Sequence, residues 1–299
     1  MSRLAVWVRG ARPRTLGAGI TPVLVGTAAA GTAIAWRFVA ALLVGLGLQV
    51  GVNFANDFND GIRGVDTAER LGPPRLTSSG VVAPSTVLFA SLAAIFVAGL
   101  AGLALAAATT WWLVPIGAVA MVALWLYSGG PRPYADLGLG ELMVFLFFGV
   151  MATAGSAYVQ TETVPNAAWW ACVPMGLLAV AILVANNLRD IPTDAVAGKR
   201  TLAVRLGEHR TRRLYRVCVS GAVAAVVIGV VVDALDRGNG LPAWSLLALI
   251  AVPAAVAPLR EIGRATGRAL IPVLIGTARL QIVFGVLLAL GLWIQVLVS

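Results

Sequence analysis

The residues of this sequence best suited to chemistry are aspartates that follow an asparagine at helical spacing. Asn53 and Asp57 are four residues apart, Asp60 follows three residues later, and Asp66 comes further on. Residues three or four apart lie on one face of a helix, so this spacing predicts two carboxylates on a shared face. We call Asn53, Asp57 and Asp60 the first acidic corner.

A second group repeats this pattern later in the chain. Asn186 and Asp190 are four residues apart, and so are Asp190 and Asp194. We call these three residues the second acidic corner. One Asn- and Asp-rich helix end at a membrane boundary can be merely the polar interface. Two matched groups favour a functional site, because acidic groups at membrane depth are costly and tend to be functional.

Carboxylates that converge in a low-dielectric environment repel one another and are driven to protonate. A hard divalent cation removes that repulsion, and Mg²⁺ usually takes one or two carboxylates together with phosphate oxygens and waters. The two corners could therefore hold a pair of ions that bridge a diphosphate. Basic residues that could bind the other phosphate oxygens lie near the corners in sequence: Arg63, Arg70, Arg75, Arg132, Lys199, Arg200 and Arg205.

The elements that must position these groups are membrane-spanning helices. Of 299 residues, 59% are hydrophobic and 12% charged, which excludes an ordinary soluble domain. Charge-free runs, compared with the roughly 20 residues that one span needs, predict nine helices. They fall within 15–36, 38–56, 76–131 (two spans), 142–161, 163–188, 217–232, 238–259 and 280–299. We therefore predict an all-α transmembrane bundle and a single integral-membrane domain over 1–299, built as two related four-helix halves plus a ninth helix.

The basic residues predict the orientation of this bundle. All but three of the 22, namely Arg37, Arg237 and Arg279, fall on the side that carries the N-terminus and both corners. By the positive-inside rule, that side is the cytoplasmic face of a prokaryotic cell membrane. The net charge of +9 then reflects topology and contact with anionic membrane lipids, and no nucleic-acid partner is predicted. Residues 5–14 are expected to lie along the membrane surface.

A third polar stretch, from Tyr127 to Tyr134, is rich in glycine and proline and predicts a turn on the same side. A loop alone would explain its composition. Arg132 within it is nevertheless well placed in sequence to reach a phosphate, and Glu141 could orient that arginine.

These motifs together resemble the UbiA superfamily of intramembrane aromatic prenyltransferases. Within it, several stretches look most like the branch that acts on 1,4-dihydroxy-2-naphthoate in menaquinone synthesis. They are 12–16, 57–66, 72–75, 127–132, 186–191 and 198–207. The six-residue interval between Asp60 and Asp66 is longer than in many members of the superfamily and is similar to this branch.

The resemblance implies that two Mg²⁺ ions, bound by Asp57, Asp60, Asp190 and Asp194, hold the diphosphate of a polyprenyl donor. Arg63, Arg132 and Lys199 would stabilise the leaving group, and Asp66 would act as a base or hold the loop that contains Arg63 and Arg75. Asn53 and Asn186 would orient the carboxylates or the ring of the naphthoate acceptor. The remaining candidate acceptor contacts are Arg14, Tyr127 and Asn187.

Two alternatives remain at the level of sequence. The same scaffold could prenylate another aromatic acceptor such as 4-hydroxybenzoate. A secondary transporter also has repeated halves and intramembrane acids, but its site lies near the bilayer midplane, whereas these acids lie at helix ends.

Overall fold

The computed structural model describes residues 2–64 and 75–298. In these two ranges the chain forms ten helices and no strand. The helices are α1 (Arg3–Ala11), α2 (Gly17–Ala29), α3 (Ala35–Ile62), α4 (Pro84–Ala108), α5 (Leu113–Leu126), α6 (Gly140–Thr161), α7 (Asn166–Val196), α8 (Leu202–Leu235), α9 (Ala243–Glu261) and α10 (Gly267–Val298).

The prediction of an all-helical membrane bundle with about nine spans is confirmed. Of the helices in the described ranges, seven are long and apolar enough to cross a membrane, and α2 and α5 are shorter apolar helices that complete the nine. The run 217–232 was too short for a comfortable span. The structure extends it into the 34-residue helix α8, because the basic stretch before it is also helical, with a bend at Gly207 (φ +73°).

Two extensively packed helix pairs occupy matching places in the chain. Helix α3 packs most extensively on α4, and α7 packs most extensively on α8. These are the pairs that the prediction of two four-helix halves makes equivalent. Small residues permit close packing at the helix crossings. A side chain on Gly45 of α3, for example, would bring its Cβ within 2.5 Å of the carbonyl oxygen of Gly19 on α2.

Helix length places the acidic corners at one end of the bundle. At a rise of about 1.5 Å per residue, a span of the hydrocarbon core needs about 20 residues. Helix α3 has 28 residues and α7 has 31, and in both cases the polar corner lies near the C-terminal end. Each corner is therefore carried on a rigid helix that continues beyond its apolar section.

Helix α1 lies against this same end of the bundle. Trp7 packs edge-to-face on Phe54 of α3, with ring centroids 5.7 Å apart, whereas Leu4 and Val8 are exposed. The chain then turns at Arg12, whose φ of 53° is in the left-handed region, and enters a short 3-10 turn, Pro13–Thr15, before α2. That α1 lies along the membrane surface stays a prediction.

Candidate active site

The first acidic corner is held by contacts with a segment that follows it in the chain. Both carboxylate oxygens of Asp57 accept backbone N–H groups, from Leu76 at 2.9 Å and from Thr77 at 3.0 Å. Asp60 is 3% exposed, and its Oδ2 lies 3.1 Å from a guanidinium nitrogen of Arg75. Asp57 thus fixes the backbone of the segment whose Arg75 neutralises Asp60.

In the second acidic corner, Asn186 and Asp190 are held by a residue of their own helix. The Arg189 guanidinium wraps back onto the neighbouring Asp190, with Nε 2.7 Å from Oδ1 and a terminal nitrogen 2.6 Å from Oδ2. The same terminal nitrogen donates to Asn186 Oδ1 at 2.9 Å. Arg189 is 4% exposed, so a buried guanidinium binds the Asp190 carboxylate through two hydrogen bonds.

An ion pair links the segment that follows the second corner to the first corner. Lys199, which follows the second corner after α7, places its Nζ 2.9 Å from Asp60 Oδ1 of the first. Asp60 therefore lies between Lys199 and Arg75. The separation in sequence is large, but the two corners meet at the same end of the bundle.

Both corners open into one cavity of about 760 Å³. The polar residues that line its acidic end include Arg12, Asn53, Asn56, Asp60, Arg63, Arg75, Tyr127, Ser128, Asn186, Asn187, Asp190, Asp194 and Lys199. Beyond them the walls are mainly apolar, with Phe147 and Phe148 of α6 among them, and the cavity extends to Trp112 and Trp169 at the opposite end. The cavity is thus charged at one end and apolar along most of its length.

The turn after α5 closes over the first corner. Ser128 donates its hydroxyl to Asn56 Oδ1 at 2.6 Å, and Arg63 donates to the Ser128 carbonyl and to Asp136 Oδ2, both at 3.0 Å. Gly129 permits this approach, because a Cβ there would lie 2.8 Å from Asn59 Nδ2. This turn places Tyr127 and Ser128 on the cavity wall.

Tyr127 and Tyr134 form the aromatic part of that turn. Their rings pack edge-to-face with centroids 5.5 Å apart. Burial raises the pKa of both phenols, more strongly at Tyr127, and the negative charge of Glu141 adds to the effect at Tyr127. Both hydroxyls are therefore protonated at neutral pH and are available as hydrogen-bond donors.

Asn187 and Glu141 form a buried pair beside the second corner. Asn187 Nδ2 donates to Glu141 Oε1 at 3.0 Å, and the two residues are 8% and 6% exposed. Asn187 lines the cavity. The suggestion that Glu141 orients Arg132 is wrong: Glu141 is buried against Asn187, whereas Arg132 is exposed.

The N-terminal turn contributes Arg12 to the cavity. Asn53 donates to the Ala11 carbonyl at 2.9 Å and to Thr15 Oγ1 at 3.4 Å, which fixes the turn against α3. Arg12 lines the cavity, whereas Arg14 is exposed and lies outside the lining. The sequence predicts Arg14 as the contact, and only the backbone turn at Arg12 decides between the two arginines.

The sequence-based site residues fall into three groups. Ten of them line the acidic end of the cavity: Asn53, Asp60, Arg63, Arg75, Tyr127, Asn186, Asn187, Asp190, Asp194 and Lys199. Three lie outside the cavity lining, namely the buried Asp57 and the exposed Arg14 and Arg132. Asp66 lies outside the described residues, so its role stays a prediction.

Sequence reasoning missed Arg12, Asn56, Ser128 and the role of Arg189. Asn56 stands inside the first motif, so its position on the same helix was a usable signal. The position of Arg189 was a misleading signal. Adjacent residues on a helix point in different directions, which argues against a contact between Arg189 and Asp190. Only its long, flexible side chain allows the contact with Asp190.

The donor set fits magnesium bound together with a diphosphate. In residues 2–64 and 75–298, no three His, Cys, Asp or Glu side chains group closely enough to hold a metal ion by themselves. Mg²⁺ usually needs only one or two carboxylates when phosphate oxygens and waters complete its shell. Asp60, Asp190 and Asp194 offer such oxygens at one cavity end. Each Asp57 oxygen has a lone pair beyond the one its backbone N–H partner uses.

A membrane bundle with a charged, oxygen-rich end on a long apolar cavity defines a class of enzyme that handles lipids with a phosphorylated head. The chain belongs to the UbiA prenyltransferase family, whose model matches residues 19–261. It is 45% identical over 295 residues to the 1,4-dihydroxy-2-naphthoate octaprenyltransferase of Mycobacterium tuberculosis, with 97% of each chain covered.

Solved structures share the fold at low identity. A UbiA homolog from Aeropyrum pernix K1 in its apo form has a TM-score of 0.71 at 15% identity, with 92% of this chain and 97% of that chain covered. A UbiA homolog from Archaeoglobus fulgidus bound to GPP and Mg²⁺ has a TM-score of 0.63 at 16% identity, with 95% and 99% covered. These likenesses concern the fold.

Proposed function

We propose that this protein transfers a polyprenyl group from its diphosphate to 1,4-dihydroxy-2-naphthoate, with loss of diphosphate and CO₂. The observation that carries the proposal is the meeting of both acidic corners, through Lys199 and Asp60, at one end of a largely apolar cavity. The similarity to the mycobacterial octaprenyltransferase supports the choice of acceptor. The immediate product would be demethylmenaquinol, the two-electron-reduced form of demethylmenaquinone.

The acidic end binds the diphosphate of the donor. Asp60, Asp190 and Asp194 line this end and would hold two Mg²⁺ ions. The sequence also assigns Asp57 to the metal, but Asp57 is buried outside the cavity lining. Bound there, the metal supplies Lewis-acid stabilisation of the negative charge on the leaving group. Arg75 and Lys199 are positioned beside Asp60 and stabilise the same charge directly.

The apolar length of the cavity holds the polyprenyl chain. Burial of each CH₂ group contributes about 0.8 kcal/mol, so a long chain binds strongly without polar contacts. The same walls exclude water from the allylic carbon once the C–O bond to diphosphate begins to break. Diphosphate leaves with the bonding electron pair, which keeps the charge at the end lined by Arg75 and Lys199.

The acceptor ring would lie between the diphosphate and the polar residues Tyr127, Asn186 and Asn187. Its carboxylate-bearing carbon attacks the first carbon of the prenyl chain. The bond from that ring carbon to the carboxylate then breaks, CO₂ leaves, and the electron pair restores the aromatic ring. The protonated Tyr127 phenol is placed to donate a hydrogen bond to the ring substituents or to the diphosphate.

The membrane context follows from the distribution of charge. Because the sequence pattern assigns almost all basic residues to the side that carries the N-terminus and both corners, we place that end of the bundle and the site on the cytoplasmic side of the cell membrane. The arrangement lets a charged diphosphate enter from water while the chain enters from lipid.

The test uses membranes that contain the protein, 1,4-dihydroxy-2-naphthoate, a long-chain prenyl diphosphate and Mg²⁺. We expect demethylmenaquinol, which is oxidised by oxygen in air and detected as demethylmenaquinone. It should be lost completely when the divalent cation is chelated and recovered when Mg²⁺ is added back. Membranes with Asp60→Asn serve as the control for background enzymes. Prenylation of 4-hydroxybenzoate in place of the naphthoate would contradict the assignment of the acceptor.

Proteoliposomes test the transporter alternative. A transporter would take up a charged solute in response to a proton or sodium gradient. We expect no such uptake, and gradient-driven uptake without prenyl transfer would contradict the enzymatic function.

A further inference from the structure

The buried pair of Asn187 and Glu141 bears on what the cavity can recognise. A carboxamide has two chemically different ends, a donor at Nδ2 and an acceptor at Oδ1. Which end faces a ligand depends on the partner that holds the other end. In this protein that partner is Glu141, whose Oε1 accepts from Asn187 Nδ2 at 3.0 Å.

The hydrogen bond determines which end of Asn187 is held by Glu141. Glu141 is in the first turn of α6, and its Oε1 is the acceptor in the contact with Asn187. An acceptor oxygen can take only the Nδ2 end of a carboxamide, because Oδ1 has no proton to donate. The carboxamide is thereby fixed in one of its two orientations.

The fixed orientation leaves Asn187 Oδ1 as the acceptor on the cavity side. Asn187 lines the cavity, and no side chain or backbone N–H in the described part of the chain donates to its Oδ1. A diphosphate carries only acceptor oxygens when ionised, so this end of Asn187 does not suit it. A ring hydroxyl, which has a proton to donate, does.

We propose that Glu141 is a positioning residue that fixes the Asn187 carboxamide so that the cavity recognises a hydroxyl group on the aromatic acceptor. The inference rests on the proposed function and adds to it a basis for acceptor specificity. An arene whose free hydroxyl faces Asn187 Oδ1 is bound, whereas the corresponding ether is not. The contact carrying it is the 3.0 Å hydrogen bond between two side chains that are each more than nine-tenths buried.

Glu141→Gln tests the pair directly. The substituted amide can donate to Asn187 Oδ1, so the carboxamide is no longer held in one orientation. We expect the KM for the hydroxylated acceptor to rise about tenfold, while kcat and the KM for the prenyl diphosphate change by less than about twofold. Glu162→Gln, an exposed glutamate at the opposite end of the bundle, is the matched control and should change neither KM.

A double variant separates positioning from a merely structural role. In Glu141→Gln combined with Asn187→Asp, the new glutamine donates to one oxygen of the new aspartate, and the other oxygen again faces the cavity as an acceptor. We expect the KM for the acceptor to return to within about threefold of the original value. Loss of packing alone would not be repaired by this exchange.

Several results would overturn the proposal. They are an unchanged acceptor KM in Glu141→Gln, an equal rise in the KM for prenyl diphosphate, or no rescue in the double variant. If Glu141→Gln fails to fold, the test is made on the unaltered protein by competition. The dihydroxy acid should inhibit prenylation of a labelled acceptor at least about tenfold more strongly than its O-methyl ethers do. Equal inhibition by all of them would refute recognition of a hydroxyl.

The experiment also distinguishes this inference from the proposed function. If the protein prenylates a different hydroxyarene, the naphthoate assignment fails, and the same variants are then measured with that arene. A selective rise in its KM would still support the role of Glu141.

Discussion

The two acidic corners use the same residue types at similar spacing, but they are stabilised in different ways. In the second corner, Asp190 has its charged partner, Arg189, within its own helix. In the first corner, Asp57 and Asp60 are bound by the segment 75–77 and by Lys199 from beyond α7. The Asp190 carboxylate is therefore held locally, whereas the first corner exists only when three parts of the chain have come together.

This difference separates the catalytic role of the corners from their role in tertiary structure. Both corners line the same cavity and are expected to share one diphosphate, so both are needed for turnover. Disturbing the first corner should in addition loosen tertiary contacts, because its hydrogen bonds join distant segments. Disturbing the second should leave the rest of the bundle intact.

Removal of one carboxylate charge from either corner has the largest expected effect. Asp60→Asn and Asp190→Asn should each lower kcat by about a thousandfold, because the metal ligand and its charge are both lost. Prenyl transfer in membranes measures this. Asp236→Asn at the opposite end of the bundle is the control and should retain full activity. Substantial turnover in either corner variant would mean that the corners do not act together.

The link between the corners comes next. Lys199→Gln removes the ion pair with Asp60, and we expect kcat/KM for the prenyl diphosphate to fall by about a hundredfold. Lys199→Arg keeps the charge and should recover part of the activity. If both variants kept the original kcat/KM, the bridge would be dispensable.

Asp57→Asn should reveal the assembly role of the first corner. An asparagine can accept only one of the two backbone N–H groups and directs its own N–H at the other, a loss of about 1–3 kcal/mol. We therefore expect the melting temperature in detergent to fall further for Asp57→Asn than for Asp190→Asn. The reverse order would show that Asp57 does not hold the segment that follows the first corner.

Arg132→Gln should have the smallest effect. The sequence predicts a phosphate contact for Arg132, whereas its side chain is exposed and outside the cavity lining. Because exposed charges interact weakly through water, we expect kcat/KM to change by less than about threefold. A large rise in the KM for the prenyl diphosphate, with the acceptor KM constant, would instead support the sequence-based role.

The fold and the main site could be predicted from the sequence because both depend on local sequence patterns. Charge-free runs gave the nine spans, and helical spacing placed Asp60 and Asp190 on cavity-facing ends. The partners of these groups were not readable. Asp57 binds backbone N–H groups, which every residue except proline has. The sequence therefore does not identify Leu76 and Thr77 as its partners.

The same limit explains the two arginines before α2. Arg12 and Arg14 are two residues apart, and both are plausible in sequence. The left-handed backbone at Arg12 and the 3-10 turn after it direct Arg12 to the cavity, and these depend on packing against Asn53 and Thr15. Tertiary contacts of this kind leave no periodic signal.

Helix α6 is interrupted by a wider π-helical section, Phe145–Met151, between its two α-helical parts. Such a section corresponds to an extra residue inserted into a regular helix. Deleting one residue there would turn the N-terminal part of α6 by about 100° relative to the rest. Glu141 would rotate away from Asn187 while the far half of the helix kept its neighbours. Because Phe147 and Phe148 in this section also line the apolar cavity, a single-codon deletion there would alter the wall proposed to hold the polyprenyl chain together with the contact between Glu141 and Asn187.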